Sequence, residues 1–233
     1  MTYVISLGGS IVSPPSGPDA VYLSDFRNLV EGWLGSDPSR RLILVVGGGG
    51  PARAYQGALR EFARLRSMPP PSDEALDRVG IAATKINAQL VAAAMEGLCI
   101  DPVVEDPSAP ISFTGKILVA SGWKPGFSSD YDAVYLGERF GAKTVLNLSN
   151  IAKVYTADPK LDRDARPLDE ISWAEFRALV GEAWTPGANL PFDPIASARA
   201  EEAGMRVICA SGKDLPNLLR ILNGESFTGT LIG

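Results

Sequence analysis

The feature that most constrains the fold is the alternation of short β-branched runs with longer segments of helical period. The runs are YVISL, LILVV, PVV, KILVA, TVLNL, RVICA and TLI, at 3–7, 42–46, 102–104, 116–120, 144–148, 206–210 and 230–232. The segments between them predict helices at 24–34, 52–66, 74–96, 130–140, 172–181, 194–204 and 215–223. This alternation predicts an α/β fold, a three-layer α/β/α sandwich around a mainly parallel central sheet.

Capping residues support several of the predicted helix starts. Ser172 and Glu175 have the spacing of a capping box. Asp214 precedes LPNLLRIL as an N-cap candidate, and Pro51 follows a glycine run at a first-turn position. These residues place helix starts where the hydrophobic period alone would leave them uncertain.

Length and composition favour one globular protein without a nucleic-acid surface. Of the 233 residues, 45% are hydrophobic, which is enough to bury a large core. We expect one domain over 1–233, with a weak internal boundary near 112. The formal charge is −5 and no long basic run is present, so the sequence predicts no nucleic-acid partner.

The cysteine and histidine content narrows the chemistry and the compartment. The chain has no histidine, which excludes a Ser-His or Cys-His pair, a histidine base and a histidine metal ligand. Cys99 and Cys209 lie in apolar runs without metal or redox spacing, as expected in a reducing compartment. No positively charged leader and no run long enough to span a bilayer is seen, so we expect a cytoplasmic protein without a membrane partner.

Two glycine turns follow the first two predicted strands. Gly8, Gly9 and Ser10 come directly after YVISL, where missing side chains let backbone N–H groups approach an anion. A tight strand-to-helix turn is the plainer interpretation of this GGS when it is taken alone. Gly47 begins a run of four glycines that leads into a predicted helix start and Arg53, so unpaired amides and a guanidinium converge. The two turns together suggest two anionic ligands that face each other.

Two familiar nucleotide motifs do not fit these turns. Gly47, Gly49 and Ala52 form a loose dinucleotide fingerprint, but the acidic residue expected about 20 positions further on is missing. No G-x-x-x-x-G-K-[ST] motif is present, which excludes a P-loop NTPase.

Three further segments follow predicted strands or precede predicted helices. GWKPGFSSD brings Lys124 and Asp130 to the end of a strand, and NIAKVYTADPK at 150–160 predicts an irregular loop. WTPGANLPFDP places Asp193 immediately before a proline and a helix. Helix capping is the plainer interpretation of both aspartates.

The order and spacing of these segments resemble those of the amino acid kinase superfamily over nearly the whole chain. ISLGGS, VVGGGGPARAY, DRVGIAATKINAQL, GWKPGFSSD, VYTADPK and PFDPIA are similar to the archaeal-type branch of the uridylate kinases. The resemblance implies an ATP-dependent UMP kinase, with the acceptor in about 1–112 and ATP in about 113–233. It also implies a homohexamer built as a trimer of dimers.

The resemblance implies a role for each matching residue. ATP and the transferring phosphates would be bound by Gly8, Gly9, Ser10, Asn150, Tyr155, Asp158 and Lys160. UMP would be bound by Gly47, Gly48, Arg53, Asp77, Ser128 and Ser129. The reaction centre would contain Ser10, Lys124, Asp130 and Asp193. Thr84 and Asn87 would line the acceptor pocket or a subunit contact, or serve only as packing polar groups. The implied cofactors are ATP and Mg²⁺, the ion bridging ATP oxygens without a metal site built by the protein.

The sequence departs from the superfamily pattern at three places. Ser6 stands where many members have a lysine, which the archaeal-type branch often lacks, so Lys124, Lys85 or Arg53 would supply the positive charge. Ala152 and Lys153 replace an acidic residue and a glycine, which predicts altered nucleotide contacts. In SDYDAV, either Asp130 or Asp132 could match the family's aspartate, and the spacing to the following GAK favours Asp130.

Other functions remain open at this point. A molybdenum-storage-like protein would bind ATP on the same fold without metabolic kinase activity. A related kinase could act on another small phosphorylated or carboxylated acceptor, and a catalytically decayed regulatory subunit would explain Ser6 and Ala152. The isopentenyl phosphate kinases rely on a histidine that this chain lacks.

Overall fold

The computed structural model describes residues 2–159, 161–182 and 190–233. Its strands are β1 Thr2–Leu7, β2 Arg41–Val46, β3 Ile117–Ala120, β4 Thr144–Ser149, β5 Glu170–Ile171, β6 Arg206–Ser211 and β7 Thr230–Ile232. Its helices are α1 Gly9–Val12, α2 Ala20–Gly35, α3 Gly49–Leu65, α4 Asp73–Ala94, α5 Ser129–Arg139, α6 Trp173–Val180, α7 Pro194–Glu202 and α8 Leu215–Asn223. In the described residues, no helix has the length and apolarity needed to cross a membrane.

The strands form one sheet in the order β3-β2-β1-β4-β6-β7-β5. Only β6 and β7 pair in an antiparallel manner, so the predicted mainly parallel sheet is confirmed for the described chain. From β1 the chain moves outward through β2 and β3, and then returns to the other side of β1 as β4. Such a reversal of strand order opens a crevice at the carboxyl ends of the strands, where α/β proteins bind ligands.

Alternating side chains of the central strands fill two cores, one on each face of the sheet. Ile5 and Leu44 belong to the core under α2 and α8, and Val4 and Ile43 to the core under α5, α6 and α7. These four side chains are fully buried, and each contributes about 1.5–3 kcal/mol by leaving water. The predicted three-layer α/β/α sandwich is confirmed.

The predicted caps are confirmed, and one predicted helix start is wrong. Ser172 and Glu175 form a reciprocal capping box, and the Asp214 carboxylate accepts the Asn217 amide. Helix α2 begins at Ala20 rather than 24 because the Asp19 carboxylate caps it. The sequence analysis missed α1 and β5, which are four and two residues long and too short to show a period.

The predicted strand at 102–104 is wrong. Only Val104 pairs there, in an isolated bridge to Ala120. The preceding Asp101 organises this segment as a loop, because its carboxylate accepts hydrogen bonds from Ser112, Thr114 and Gly115. Those bonds hold the pKa of Asp101 near 2 despite its burial. The β-branched run alone could not show that the neighbouring Asp101 side chain would stabilise a loop instead of a strand.

Candidate active site

The two glycine turns lie in contact at the carboxyl edge of the sheet. A Cβ atom on Gly9 would lie 2.2 Å from the Gly49 nitrogen and 2.4 Å from the Gly47 carbonyl oxygen. The Gly50 amide donates to the Ser13 carbonyl oxygen across the same contact, at 2.8 Å. The backbones therefore approach more closely than side chains allow, and the turn after β1 faces the turn after β2.

Replacing Gly9 by alanine is expected to lower the free energy of unfolding by more than about 2 kcal/mol, because the new methyl group meets backbone atoms that cannot rotate away. Gly57→Ala is the matched control, since Gly57 lies inside α3 with nothing within 4 Å of its Cβ position. That change should stabilise the protein by up to about 1 kcal/mol. Urea unfolding of both variants measures the difference. Equal stabilities would contradict the close backbone contact.

Beside the second turn lies a cleft of about 270 Å³. It is lined by Gly48, Gly49, Ala52, Arg53, Gln56, Asp77, Gly80, Ile81, Thr84, Gly122, Phe127, Ser128, Ser129, Asp130, Leu190 and Asp193. Eight of the residues to which the resemblance gave a role are thus brought together in one cavity: Gly48, Arg53, Asp77, Thr84, Ser128, Ser129, Asp130 and Asp193. They come from α3, α4, the start of α5 and the residue before α7.

The inner wall of the cleft is a pair of aspartates from two elements. Asp130, in the first turn of α5, accepts a hydrogen bond from the Ser6 hydroxyl at 2.7 Å and one from the Asp193 amide at 3.3 Å. Burial raises the pKa of Asp130 to about 6, and the nearby Asp193 adds to the rise. Asp193 caps α7 through the Ala196 amide, and burial raises its pKa as well. Ser6, where many superfamily members have lysine, therefore supports Asp130 with a neutral hydroxyl.

Of the two aspartates in SDYDAV, Asp130 lines the cleft and Asp132 does not. Asp132 is fully buried, and one of its oxygens accepts the Trp123 amide at 3.1 Å. Its other oxygen has no hydrogen-bond partner among the described residues. Burial raises the pKa of Asp132 to about 8, with smaller contributions from Asp130 and Asp193. The raised pKa favours the protonated acid at neutral pH, behind the cleft wall.

The protonated Asp132 predicts a pH dependence of stability. Its ordinary pKa is 3.8, so between about pH 4 and 8 the folded protein holds a proton that the unfolded chain has lost. Stability should therefore fall as the pH rises through this window. Asp132→Asn removes this titration, and the variant should be more stable than the wild type by on the order of 2 kcal/mol at pH 8 and by much less at pH 5. Thermal unfolding at both pH values measures it, and an equal difference at the two would contradict the assignment.

Among the described residues that line the cleft, Arg53 is the one with a positively charged side chain. Lys85 forms an ion pair with Glu105 at 2.7 Å, and Lys124 lies over the Trp123 ring at 3.8 Å from its centre. Lys124 lines a second pocket, which shares Asp77 with the cleft. The structure does not bring the Lys124 side chain to the glycine turns as the sequence interpretation assumed. Of the three cations considered for the charge missing at Ser6, Arg53 is the one in the cleft.

The predicted ATP residues lie on the other side of the first turn. The Gly8 amide donates to the Leu148 carbonyl oxygen at the end of β4, and the Gly212 amide donates to Ser149. Asn150 follows β4 directly, and Tyr155 pairs with Pro167 in the loop beyond. These residues and Asp158 do not line the cleft. Lys160 and residues 183–189, which include positions 184–189 of the WTPGANLPFDP motif, lie outside the described residues.

Ala152 and Lys153, which depart from the superfamily pattern, also lie in this loop. The Lys153 ammonium pairs with the Asp169 carboxylate next to β5, and Ala152 is exposed. The substituted lysine is thus engaged in a structural ion pair between two parts of the loop. The altered nucleotide contacts expected from Ala152 and Lys153 stay a prediction.

Two polar residues of the site have a role that periodicity did not reveal. Gln56 on α3 is buried in the cleft wall and donates to the Leu76 carbonyl oxygen of α4. Asn87 on α4 donates from one nitrogen to the carbonyl oxygens of Gly47 and Gly48, at 2.9 and 3.1 Å. Thr84, one turn earlier, accepts the Gly122 amide at 2.8 Å. The signal in the sequence was the helical spacing of Thr84 and Asn87 among the small apolar residues of α4, which marks their positions but not their partners. Nothing comparable marked Gln56.

Comparison with known proteins agrees with this geometry. The family model described as Amino acid kinase family matches residues 1–211. The uridylate kinase of Methanospirillum hungatei is 32% identical over 99% of this chain and 94% of its own length. The uridylate kinase of Thermoplasma volcanium is 34% identical over 98% of this chain and 96% of its own.

Solved structures show the same arrangement of elements. The crystal structure of uridylate kinase from Archaeoglobus fulgidus superposes with a TM-score of 0.77 at 28% identity, covering all of both chains. The UMP kinase of Bacillus anthracis superposes with a TM-score of 0.76 at 17% identity, over all of this chain and 95% of the other. The second likeness is one of fold.

Proposed function

The chain belongs to the amino acid kinase family, and from this premise we propose that it transfers the γ-phosphoryl group of ATP to UMP, giving ADP and UDP. The observation that carries the proposal is the contact between two glycine turns at the switch point of the sheet, with the cleft beside one of them. Uridylate kinases that match over nearly the full length of the chain support the choice of acceptor.

The acceptor phosphate would bind at the second turn. Gly48 and Gly49 begin α3, whose N-terminal amides and partial positive charge favour an anion, and Arg53 lies one turn further on the same helix. The rest of UMP would extend along the cleft towards Asp77 and Ser128. Asp77 accepts the Gly126 amide on one oxygen, and its other oxygen, which has no donor among the described residues, would accept a ribose hydroxyl.

The ATP phosphates would bind at the first turn. Gly8, Gly9 and Ser10 lie between the second turn and the end of β4, where Asn150 begins the irregular loop. On this proposal about 1–112 bind the acceptor and about 113–233 bind ATP, and the γ-phosphoryl group passes between turns whose backbones touch. Such positioning supplies much of the rate in phosphoryl transfer, whose transition state is loose.

The side chains present suit a magnesium ion that is carried by ATP. Among the described residues, no group of three or more carboxylates, thiols or imidazoles is placed to hold a metal. Asp130 and Asp193 are two carboxylates at the cleft wall, and Mg²⁺ is commonly held by one or two carboxylates together with substrate phosphates. The ion would neutralise charge on the phosphate oxygens. The protein's own share is to position the two substrates and to exclude water.

A coupled assay of ADP release with UMP, CMP and dUMP tests the proposal. We expect turnover with UMP and much weaker turnover with the other two acceptors. ATP binding without turnover on any of the three would instead indicate an ATP-binding storage protein. Turnover only with another phosphorylated or carboxylated acceptor would keep the kinase and replace its substrate.

We also propose that the protein is a cytoplasmic homo-oligomer, a hexamer built as a trimer of dimers. On α3, Phe62 and Leu65 are 55% and 67% exposed, and Ile86 on the neighbouring α4 is 66% exposed. Large apolar side chains left exposed on two helices that pack against each other favour a partner surface. Cys99 and Cys209 are free thiols, as suits a reducing compartment. Light scattering after gel filtration gives the oligomeric state, and a monomer would contradict the proposal.

A further inference from the structure

Asn87 makes an unusual contact with the second glycine turn. It lies on α4, is 2% exposed, and its single amide nitrogen donates to two consecutive carbonyl oxygens, those of Gly47 and Gly48. No cis peptide bond occurs in the described chain, so each carbonyl points opposite to the N–H of the next residue. Fixing these two carbonyls therefore aims the N–H groups of Gly48 and Gly49 away from Asn87.

The N–H groups of Gly48 and Gly49 are available for a ligand. Neither donates a hydrogen bond to a residue that the structure describes, whereas Gly47 donates to Leu7 and Gly50 to Ser13. Both glycines line the cleft. The outer amides of the turn thus bond to the protein, and its two inner amides have no hydrogen-bond acceptor in the described part of the chain.

A run of four glycines cannot hold such an orientation by itself. Glycine has access to both signs of φ, and Gly49 has a φ of +60°. The Gly48 carbonyl oxygen also accepts the Ala52 amide of α3, at 3.3 Å, so the helix restrains that peptide group in part. The preceding peptide group could rotate and turn the Gly47 carbonyl oxygen towards the cleft, where it would repel an anion. The Asn87 amide holds the Gly47 carbonyl and adds a second, shorter hydrogen bond to that of Gly48.

We propose that Asn87 is a positioning residue that locks two successive peptide groups of the Gly47–Gly50 turn so that their N–H groups bind the acceptor phosphate. The inference rests on the proposed function, in which that turn receives the phosphate of UMP. Thr84, three residues earlier on the same helix face, accepts the Gly122 amide. Helix α4 therefore aligns the turn after β2 with the loop after β3, and both border the cleft.

Asn87→Ser tests the lock, because a serine hydroxyl is too short to reach both carbonyl oxygens. Asn217→Ser is the matched control: Asn217 on α8 is equally buried, at 1% exposed, and its amide donates to the Thr228 carbonyl oxygen. Calorimetric titration with UMP, and separately with a non-hydrolysable ATP analogue, is carried out below the unfolding temperature of both variants. Asn87→Ser should weaken UMP binding about 10- to 100-fold and leave ATP-analogue binding unchanged. Asn217→Ser should change neither affinity.

Two results would overturn the inference: UMP affinity unchanged in Asn87→Ser, or an equal loss in Asn217→Ser. Titration with inorganic phosphate distinguishes failure of the role proposed for Asn87 from failure of the proposed UMP kinase function. In one outcome, the wild type binds inorganic phosphate more tightly than Asn87→Ser does and yet does not bind UMP. This result would support the role of Asn87 and contradict the assignment of UMP as the acceptor. A wild-type protein that binds neither excludes both.

A measurement on the wild-type protein covers the case in which Asn87→Ser does not fold. The backbone amide resonances of Gly48 and Gly49 should move downfield on addition of UMP or inorganic phosphate, as expected for new charge-assisted hydrogen bonds. The Gly57 amide, inside α3 and outside the cleft, serves as the internal control. Unmoved Gly48 and Gly49 resonances at a saturating ligand concentration would overturn the inference.

Discussion

Asp130→Asn is expected to lower kcat by about 10²–10³-fold, the usual loss when one contact to the transition state is removed. Asparagine keeps the size of the side chain and its hydrogen-bonding reach towards Ser6 and the Asp193 amide. It removes the negative charge that would orient the ion carried by ATP at the cleft wall. Because burial raises the pKa of Asp130 to about 6, the substitution should not lower stability at neutral pH. Steady-state kinetics and thermal unfolding of the same preparation measure both.

The pH profile provides an independent reading of Asp130. If its carboxylate is needed, kcat/KM of the wild type, which reports groups of the ligand-free enzyme, should fall as the pH drops below about 6, and the residual activity of Asp130→Asn should lack this dependence. Asp132→Asn is the matched control, since it makes the same change two residues away on the same helix, outside the cleft. Equal rate losses in the two variants would mean that the acidic cluster acts through stability alone.

The fold was accessible from sequence because it depends on local patterns. Val4 and Ile5 point to opposite faces of β1 and enter different cores, so a continuous apolar run was the correct sign of a strand covered on both sides. Gly9 was likewise identifiable, because a glycine pair directly after such a strand marks a place of close backbone approach. The PVV run failed because Asp101 organises that segment through partners up to 14 residues away.

The site was accessible only in part, because its contacts join residues far apart in the chain. The Ser6 hydroxyl reaches Asp130 across 124 positions, and no periodicity reports such a pair. The resemblance to the superfamily indicated which residues lie near the cleft, but it could not show which neighbours each side chain contacts. Lys124 is the clearest case: its charge suggested a phosphate contact, whereas the structure holds its ammonium over the Trp123 ring. Asn87 is the opposite case. Sequence allowed it to be only a packing residue, but its amide donates hydrogen bonds to the backbone of the glycine turn.

With Lys85 paired and Lys124 stacked, the charge balance of the acceptor site rests on Arg53. We expect Arg53→Gln to raise the KM for UMP by about 30- to 150-fold, corresponding to the 2–3 kcal/mol typical of hydrogen bonds to a charged partner. The effect on kcat should be much smaller, because the acceptor phosphate is held alike in the ground state and the transition state. Initial rates over a range of UMP concentrations at saturating ATP give both constants.

Arg60→Gln is the control that separates a direct contact of Arg53 with UMP from the general effect of removing one positive charge. Arg60 is exposed on the same helix, seven residues further on and outside the cleft, so the change removes one positive charge from the same face of the protein. If long-range attraction of the UMP dianion dominated, both variants would raise KM similarly and added salt would remove the difference from the wild type. A direct contact predicts that only Arg53→Gln is impaired and that the impairment persists in salt. A KM for UMP unchanged in Arg53→Gln would instead place the acceptor phosphate away from α3, leaving the glycine amides without their charged partner.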